Sequence, residues 1–176
     1  TEEARVRGWA DLIIEYAVRH GLPPSFIAGM ILVESGGDPR ATSPMNYDKD
    51  GQELGQAKGL MQIMPFHFFQ YPHPLFQYPH PLADRAPGLA NGPASALYQG
   101  EDLDPYDPRT NVAVGPALLG RHFKDWGTLE QAAAAYFGAL APDGTITDAG
   151  DVTGTTGNRY VDLVMAATRR FADLDG

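Results

Sequence analysis

Apolar positions in the first twenty residues return on one side of a helical repeat. Val6, Trp9, Ala10, Ile13 and Ala17 share a face, which predicts an amphipathic helix over residues 2–20 that Gly21 can stop. Pro23 and Pro24 open a second helix, because proline is tolerated in a first turn, and it runs to about Glu34 before Gly36-Gly37. Residues 38–58 lose this period, and Asp50-Gly51 is a turn signal able to close a small β-hairpin. Asp107 as N-cap and Pro108 in the first helical position start a third helix, which reaches Trp126-Gly127 with a candidate kink at Pro116. Thr128 and Gln131 make a capping box for a fourth, whose stripe is Leu129, Ala132, Ala133, Tyr136, Phe137 and Leu140. A Gly/Thr/Asp-rich loop fills 141–157. The last helix covers about 158–172 and turns Val161, Val164, Met165, Thr168 and Phe171 or Ala172 inward. The pattern predicts one mainly α domain over 1–176.

One stretch breaks the helical pattern at length. Residues 66–106 are rich in proline and aromatics, and FQYPHPL occurs at 69–75 and again at 76–82. Two copies are too few for a solenoid. Alternating prolines favour extended or polyproline II backbone, and a loop this long inside a compact domain is usually functional or mobile.

Composition then excludes several classes. The 176 residues suffice for a core without staples, and the chain has no cysteine, so disulfides and thiolate metal sites are ruled out. With a net charge of −9 and no basic patch, nucleic acid is not an expected partner. No apolar run approaches a membrane span. The opening TEEARVRGW has no apolar signal segment and no initiator Met, so a trimmed domain of a larger protein, itself monomeric, is expected, with any targeting segment cut away.

The chemistry centres on the second helix. Ile27, Met30, Ile31 and Glu34 fall at i, i+3, i+4 and i+7, so a carboxyl ends an apolar stripe. Desolvation there raises its pKa, which is what a general acid needs near neutral pH. Taken alone, this helix fits better an ordinary end-of-helix acid paired with an arginine.

The surrounding motifs change that balance. Glu34 opens ESGGDPRATSP (34–44), followed by GLMQIMP (59–65), DPRTNVAVG (107–115), AAYFGA (134–139) and RYV (159–161). In this order they resemble the soluble lytic transglycosylases and goose-type lysozymes, from the second helix to the last. That likeness implies a lysozyme-like helical domain acting on peptidoglycan glycan strands without a cofactor. It implies Glu34 as the catalytic acid/base and Ser43 as a serine able to hydrogen-bond its carboxyl. Gln62, Met64, Tyr136 and Tyr160 match further substrate-binding positions of the cleft. Met64 and Tyr136 also fit core packing, Ser43 also fits a turn cap, and a buried Gln62 amide would need a partner. The sequence departs from the family pattern where Phe137 replaces the Asn of A-Y-N-A-G, to stack on a sugar or to pack, and where Thr156 replaces an acid four before the last tyrosine. Segments 45–57 and 66–106 exceed the family core, and the second reads as a wall or lid of the cleft or as a neutral loop expansion.

Ordinary glycosidases use two carboxylates. The resemblance implies that Glu34 alone protonates the bond between N-acetylmuramic acid and N-acetylglucosamine, then takes the proton of the muramic C6 hydroxyl as a 1,6-anhydro ring closes. A goose-type hydrolase remains the alternative, with Asp48 or Asp50 positioning water, although Met64 stands where that motif tends to carry Asp. A non-catalytic wall-binding module and a helical interaction domain are the other classes. Asn46 to Gly51 matches half of an EF-hand loop, but its twelfth position is Ala57, and no metal site is expected. Expected settings are the cell envelope or periplasm, secretion, or a phage virion.

Overall fold

A computed structural model of the chain describes residues 1–47, 50–67 and 104–176. Six α-helices and one hairpin make up most of it: α1 Glu2–Arg7, α2 Ala10–Arg19, α3 Pro24–Ser35, β1 Thr42–Tyr47, β2 Glu53–Lys58, α4 Pro108–Trp126, α5 Leu129–Phe137 and α6 Gly157–Arg170. Short 3-10 turns follow β2 at Pro65–His67 and α6 at Ala172–Asp175. This is the expected mainly helical class with its small antiparallel hairpin. Most of the Pro-rich stretch, with the heptapeptide pair at 69–82 and the wall or lid reading attached to it, lies outside the described residues, as does Asp48. Among the described residues no helix is long and apolar enough to cross a membrane.

The helix ends follow local chemistry. Asp107 accepts from the Thr110 amide at 2.9 Å, and Thr128 accepts from the Gln131 amide at 3.1 Å. These side chains satisfy donors that a helix start leaves open. Gly36, Gly127 and Gly138 close α3, α4 and α5 in the left-handed conformation. Pro116 sits buried inside α4, which continues to Trp126. The capping box differs from expectation: the Gln131 side chain accepts from the Thr128 hydroxyl and donates to the Gly144 carbonyl instead of reaching back to the Thr128 amide.

The helix expected over 2–20 is two helices. Gly8 and Trp9 interrupt it, and the Trp9 indole donates to the Gly37 carbonyl at 3.0 Å, pinning the break against the end of α3. Leu140 also leaves its expected place on α5. The helix stops at Phe137, and Leu140 instead bridges to Ile146.

The centre of the molecule is α3. Phe26, Ile27, Ala28, Met30 and Ile31 have no exposed surface, so the expected one-sided stripe is a helix enclosed all round. It packs most extensively on α6 and also meets α1 and α2. Gly29 permits the approach of α6: a Cβ there would lie 2.7 Å from the Thr168 amide nitrogen. On the other side of the core, Asn111 of α4 is fully buried with its amide satisfied. It accepts from the Met61 amide at 2.8 Å and donates to the Lys58 and Pro105 carbonyls at 2.9 and 2.8 Å. This amide fixes the turn between β2 and the 3-10 segment, which is the turn that carries Gln62 and Met64.

In the hairpin, Thr42 pairs with Lys58, Met45 with Gln56, Asn46 with Gly55 and Tyr47 with Glu53. The register shifts between Thr42 and Met45, where Pro44 has no amide to donate.

Candidate active site

Glu34 occupies the last turn of α3, one residue before Ser35. The Ser35 hydroxyl donates to the Leu60 carbonyl at 2.7 Å and accepts from the Gly37 amide at 3.2 Å. The end of α3 is therefore tied to the turn after β2 on one side and to its own glycine exit on the other. Glu34 is left half-buried on the wall of a cleft of about 320 Å3.

All six residues singled out from the motifs line this cleft: Glu34, Ser43, Gln62, Met64, Tyr136 and Tyr160. They come from α3, the hairpin, the turn after it, α5 and α6, so the tertiary fold assembles the group. Their individual contacts differ from one another. Tyr160 is 3% exposed and donates its hydroxyl to Oε1 of Glu34. Its ring stacks on Phe137 with centroids 4.5 Å apart and planes 23° from parallel. Phe137, which stands where the family pattern has Asn, thus backs the tyrosine that holds the acid. The Tyr136 hydroxyl donates to the Met61 carbonyl at 2.6 Å. Gln62 takes a positive φ of 49°, and its amide donates to the Ala41 and Gly59 carbonyls at 3.0 and 3.2 Å, supplying the partners such a group needs. Met64 contributes its sulfur, which accepts from the Asn46 amide at 3.7 Å.

Ser43 departs from the expected contact with Glu34. Its hydroxyl donates to the Pro44 carbonyl at 2.8 Å and accepts from the Ala57 amide at 2.8 Å. The register shift at Pro44 leaves the Ala57 amide in want of an acceptor, and the serine oxygen supplies one. Ser43 stays in the cleft wall with its hydroxyl engaged across the hairpin. Asp50 is exposed at the hairpin end and is not part of the cleft lining.

Among the cleft residues that the sequence reading did not place there are Asn46 and Asp151. Asn46 faces in from β1, and Asp151 faces in from the loop between α5 and α6. The Asp151 stretch carries a local signal, Asp-x-Thr-x-Thr, that marks an aspartate-closed turn. Nothing in it says which part of the molecule that turn will face.

The electrostatics suit proton transfer. The Glu34 carboxyl is raised to about 7: burial is the largest cause, the Tyr160 hydrogen bond works against it, and the Asp151 charge adds a smaller rise. Burial and the nearby Glu34 charge hold both Tyr136 and Tyr160 well above the usual phenol range, so both remain O–H donors. The carboxyl is accordingly protonated in a useful fraction near neutral pH, with one oxygen engaged by Tyr160.

Parts of the chain are similar to known proteins. Residues 11–84 match the family model of the transglycosylase SLT domain. A transglycosylase of Enterobacteria phage PRD1 is 27% identical over 130 residues, which is 74% of this chain and 34% of that protein. The chain thus spans about a third of the length of that curated relative. Among solved structures, a complex of the 70-kDa soluble lytic transglycosylase with bulgecin A aligns over 90% of this chain and 18% of its own, at 20% identity and a TM-score of 0.47. The family match runs through Glu34, its Ser-Gly neighbours and the GLMQIMP turn, and it covers less than half of the chain.

Proposed function

We propose that this domain is a peptidoglycan lytic transglycosylase, cleaving the β-1,4 bond between N-acetylmuramic acid and N-acetylglucosamine and leaving 1,6-anhydromuramic ends. The observation that carries the reading is the Glu34 carboxyl: half-enclosed, raised to about 7, and set in the wall of a cleft with Tyr160 on one oxygen. Because Oε1 accepts from Tyr160, the acidic proton belongs on Oε2. That proton passes to the leaving O4 of N-acetylglucosamine as the bond from the muramic C1 breaks, with the muramic acetamido group assisting at C1. The Glu34 carboxylate then accepts the C6 hydroxyl proton as that oxygen closes on C1. The proton returns to Glu34, no water is consumed, and one carboxyl serves as acid and then base.

Tyr160 stabilises the carboxylate formed between the two steps. Ser43, Gln62, Met64 and Tyr136 form the surface against which the glycan lies. The chain acts on the wall from outside the cytoplasm or from a phage particle, as a domain of a larger protein.

Digestion of purified peptidoglycan with mass analysis of the muropeptides tests this. Products lighter than their hydrolysed equivalents by the mass of one water, absent with Glu34→Gln, are the expected result. Products with free reducing ends would identify a muramidase instead. Wall binding that is unchanged in Glu34→Gln, with no products from either protein, would identify a non-catalytic module.

A further inference from the structure

The loop between α5 and α6 brings a second carboxylate to the cleft. Asp151 Oδ1 accepts from the Thr153 amide at 2.9 Å, the Thr153 hydroxyl at 2.6 Å and the Thr155 amide at 3.1 Å. The Asp151 amide in turn donates to the Thr155 carbonyl at 3.0 Å. A bridge between Gly150 and Thr156 closes the loop at its base. Immediately after it, Thr156 caps α6 by accepting from the Arg159 amide at 3.3 Å. Gly157 sits so close to its surroundings that a Cβ would lie 2.2 Å from the Thr147 carbonyl oxygen and 2.3 Å from the Ala139 side chain. The loop is therefore anchored at the root of the helix that carries Tyr160 one turn later. Asp151 and the Tyr160–Glu34 contact share one rigid base, and the position of the aspartate relative to the acid is set by the fold.

The other described side chains lining the cleft are uncharged, while α1 sets Glu2 against Gly36 and Arg5 against Gly37 beyond the end of α3. Among the described residues of the cleft, α5 supplies Tyr136 and α6 supplies Tyr160, both phenols. The hairpin supplies Ser43, Asn46 and Ala57, and the turn after it Gln62 and Met64. No described cation lines the cleft to offset the aspartate, an exposed carboxylate on the same cleft as Glu34, so the two meet as like charges.

We propose that Asp151 is a positioning residue for the acid: its carboxylate, fixed by the Thr153–Thr155 loop at the rim of the cleft, disfavours a second negative charge at Glu34 and so keeps the acid loaded with its proton between turnovers. The raised Glu34 carboxyl, to which the Asp151 charge contributes, agrees with this role.

The inference rests on Glu34 being the catalytic acid, and its test separates the two ideas. Asp151→Asn preserves an oxygen for the three loop donors while removing the charge. Asp148→Asn is the control, since Asp148 is an exposed acid of the same loop that accepts from Asn158 at 2.6 Å and does not line the cleft. Carbon-detected NMR titration of the Glu34 side chain, which needs no turnover, should show Glu34 ionising at lower pH in Asp151→Asn and unmoved in Asp148→Asn. On peptidoglycan, Asp151→Asn should match the wild type near pH 5 and fall about two- to fivefold below it near pH 8. A Glu34 titration identical in wild type and Asp151→Asn would overturn the proposal. So would a loss of activity equal at all pH values, which would mark Asp151 as a substrate contact. A shifted titration in a protein with no activity on any wall would leave the coupling established and remove only the enzymatic reading.

Discussion

The Tyr160 hydroxyl donates to Oε1 of Glu34 across the contact between α6 and α3, while the Tyr160 ring lies flat against Phe137. The acid is thereby oriented by a residue from the other end of the chain. Removing the hydroxyl with Tyr160→Phe removes the one hydrogen bond that lowers the Glu34 pKa. The alkaline limb of the pH–rate profile should move to higher pH, opposite in sign to the effect of Asp151→Asn. The rate on the acid side should fall about tenfold, because the carboxylate formed after the first proton transfer loses its donor. A full pH–rate profile on peptidoglycan measures both.

Glu34 also couples activity and stability to pH with a definite sign. Its folded pKa, about 7, lies above the ordinary 4.5. Between those values the folded state holds a proton that the unfolded chain releases, so stability present below about pH 4.5 declines as pH rises through 7. Glu34→Gln has no such decline. It should be the more stable protein at pH 8, by up to about 3 kcal/mol, and should show no such advantage below pH 4.5. Urea unfolding at several pH values checks this, with inactivity of the variant expected throughout.

Gly29 allows α3 and α6 to approach closely. A Cβ at this position would meet the Thr168 amide nitrogen and hydroxyl, both at 2.7 Å, and its Cα at 3.0 Å. Gly29→Ala should therefore lose about 1–3 kcal/mol despite the better helix propensity of alanine. The same displacement would loosen the Tyr160–Glu34 contact, so turnover should fall along with the unfolding midpoint. Paired unfolding and activity measurements would detect both losses.

Asn111 offers a test away from the cleft. Its side chain bonds the Met61 amide and the Lys58 carbonyl of the turn that carries Gln62, and the Pro105 carbonyl just before α4. Asn111→Ala leaves a buried amide and two carbonyls without their partner, and should cost about 2–4 kcal/mol. Chemical denaturation measures the loss. Substrate affinity should weaken as well, because Gln62 and Met64 ride on the released turn.

Much of the secondary structure was legible because the signals are local. Asp107-Pro108, Thr128, and the glycines at 36 and 127 each act on a backbone group a few residues away, and each stands at a helix end. Glu34 stood out because the motifs around it are ordered along the chain; the one-sided stripe it was read on is a helix enclosed all round. The break at Gly8–Trp9 was not, since it depends on the Gly37 carbonyl contributed by a later helix end.

What the amino-acid sequence determined by itself was most of the helices, the hairpin turn and six of the residues that line the cleft. Those properties follow from period, capping chemistry and motif order, which act within a few residues or are read in series. What only the tertiary structure decided was the direction of each polar bond in that cleft. The Ser43 hydroxyl turned to the partner strand because the register shift at Pro44 left the Ala57 amide seeking an acceptor. Phe137 became the backing of Tyr160, and Asp151 became a neighbour of Glu34. Hydrogen bonds and Coulomb interactions depend on distance in space, and the packing of α6 on α3 sets those distances.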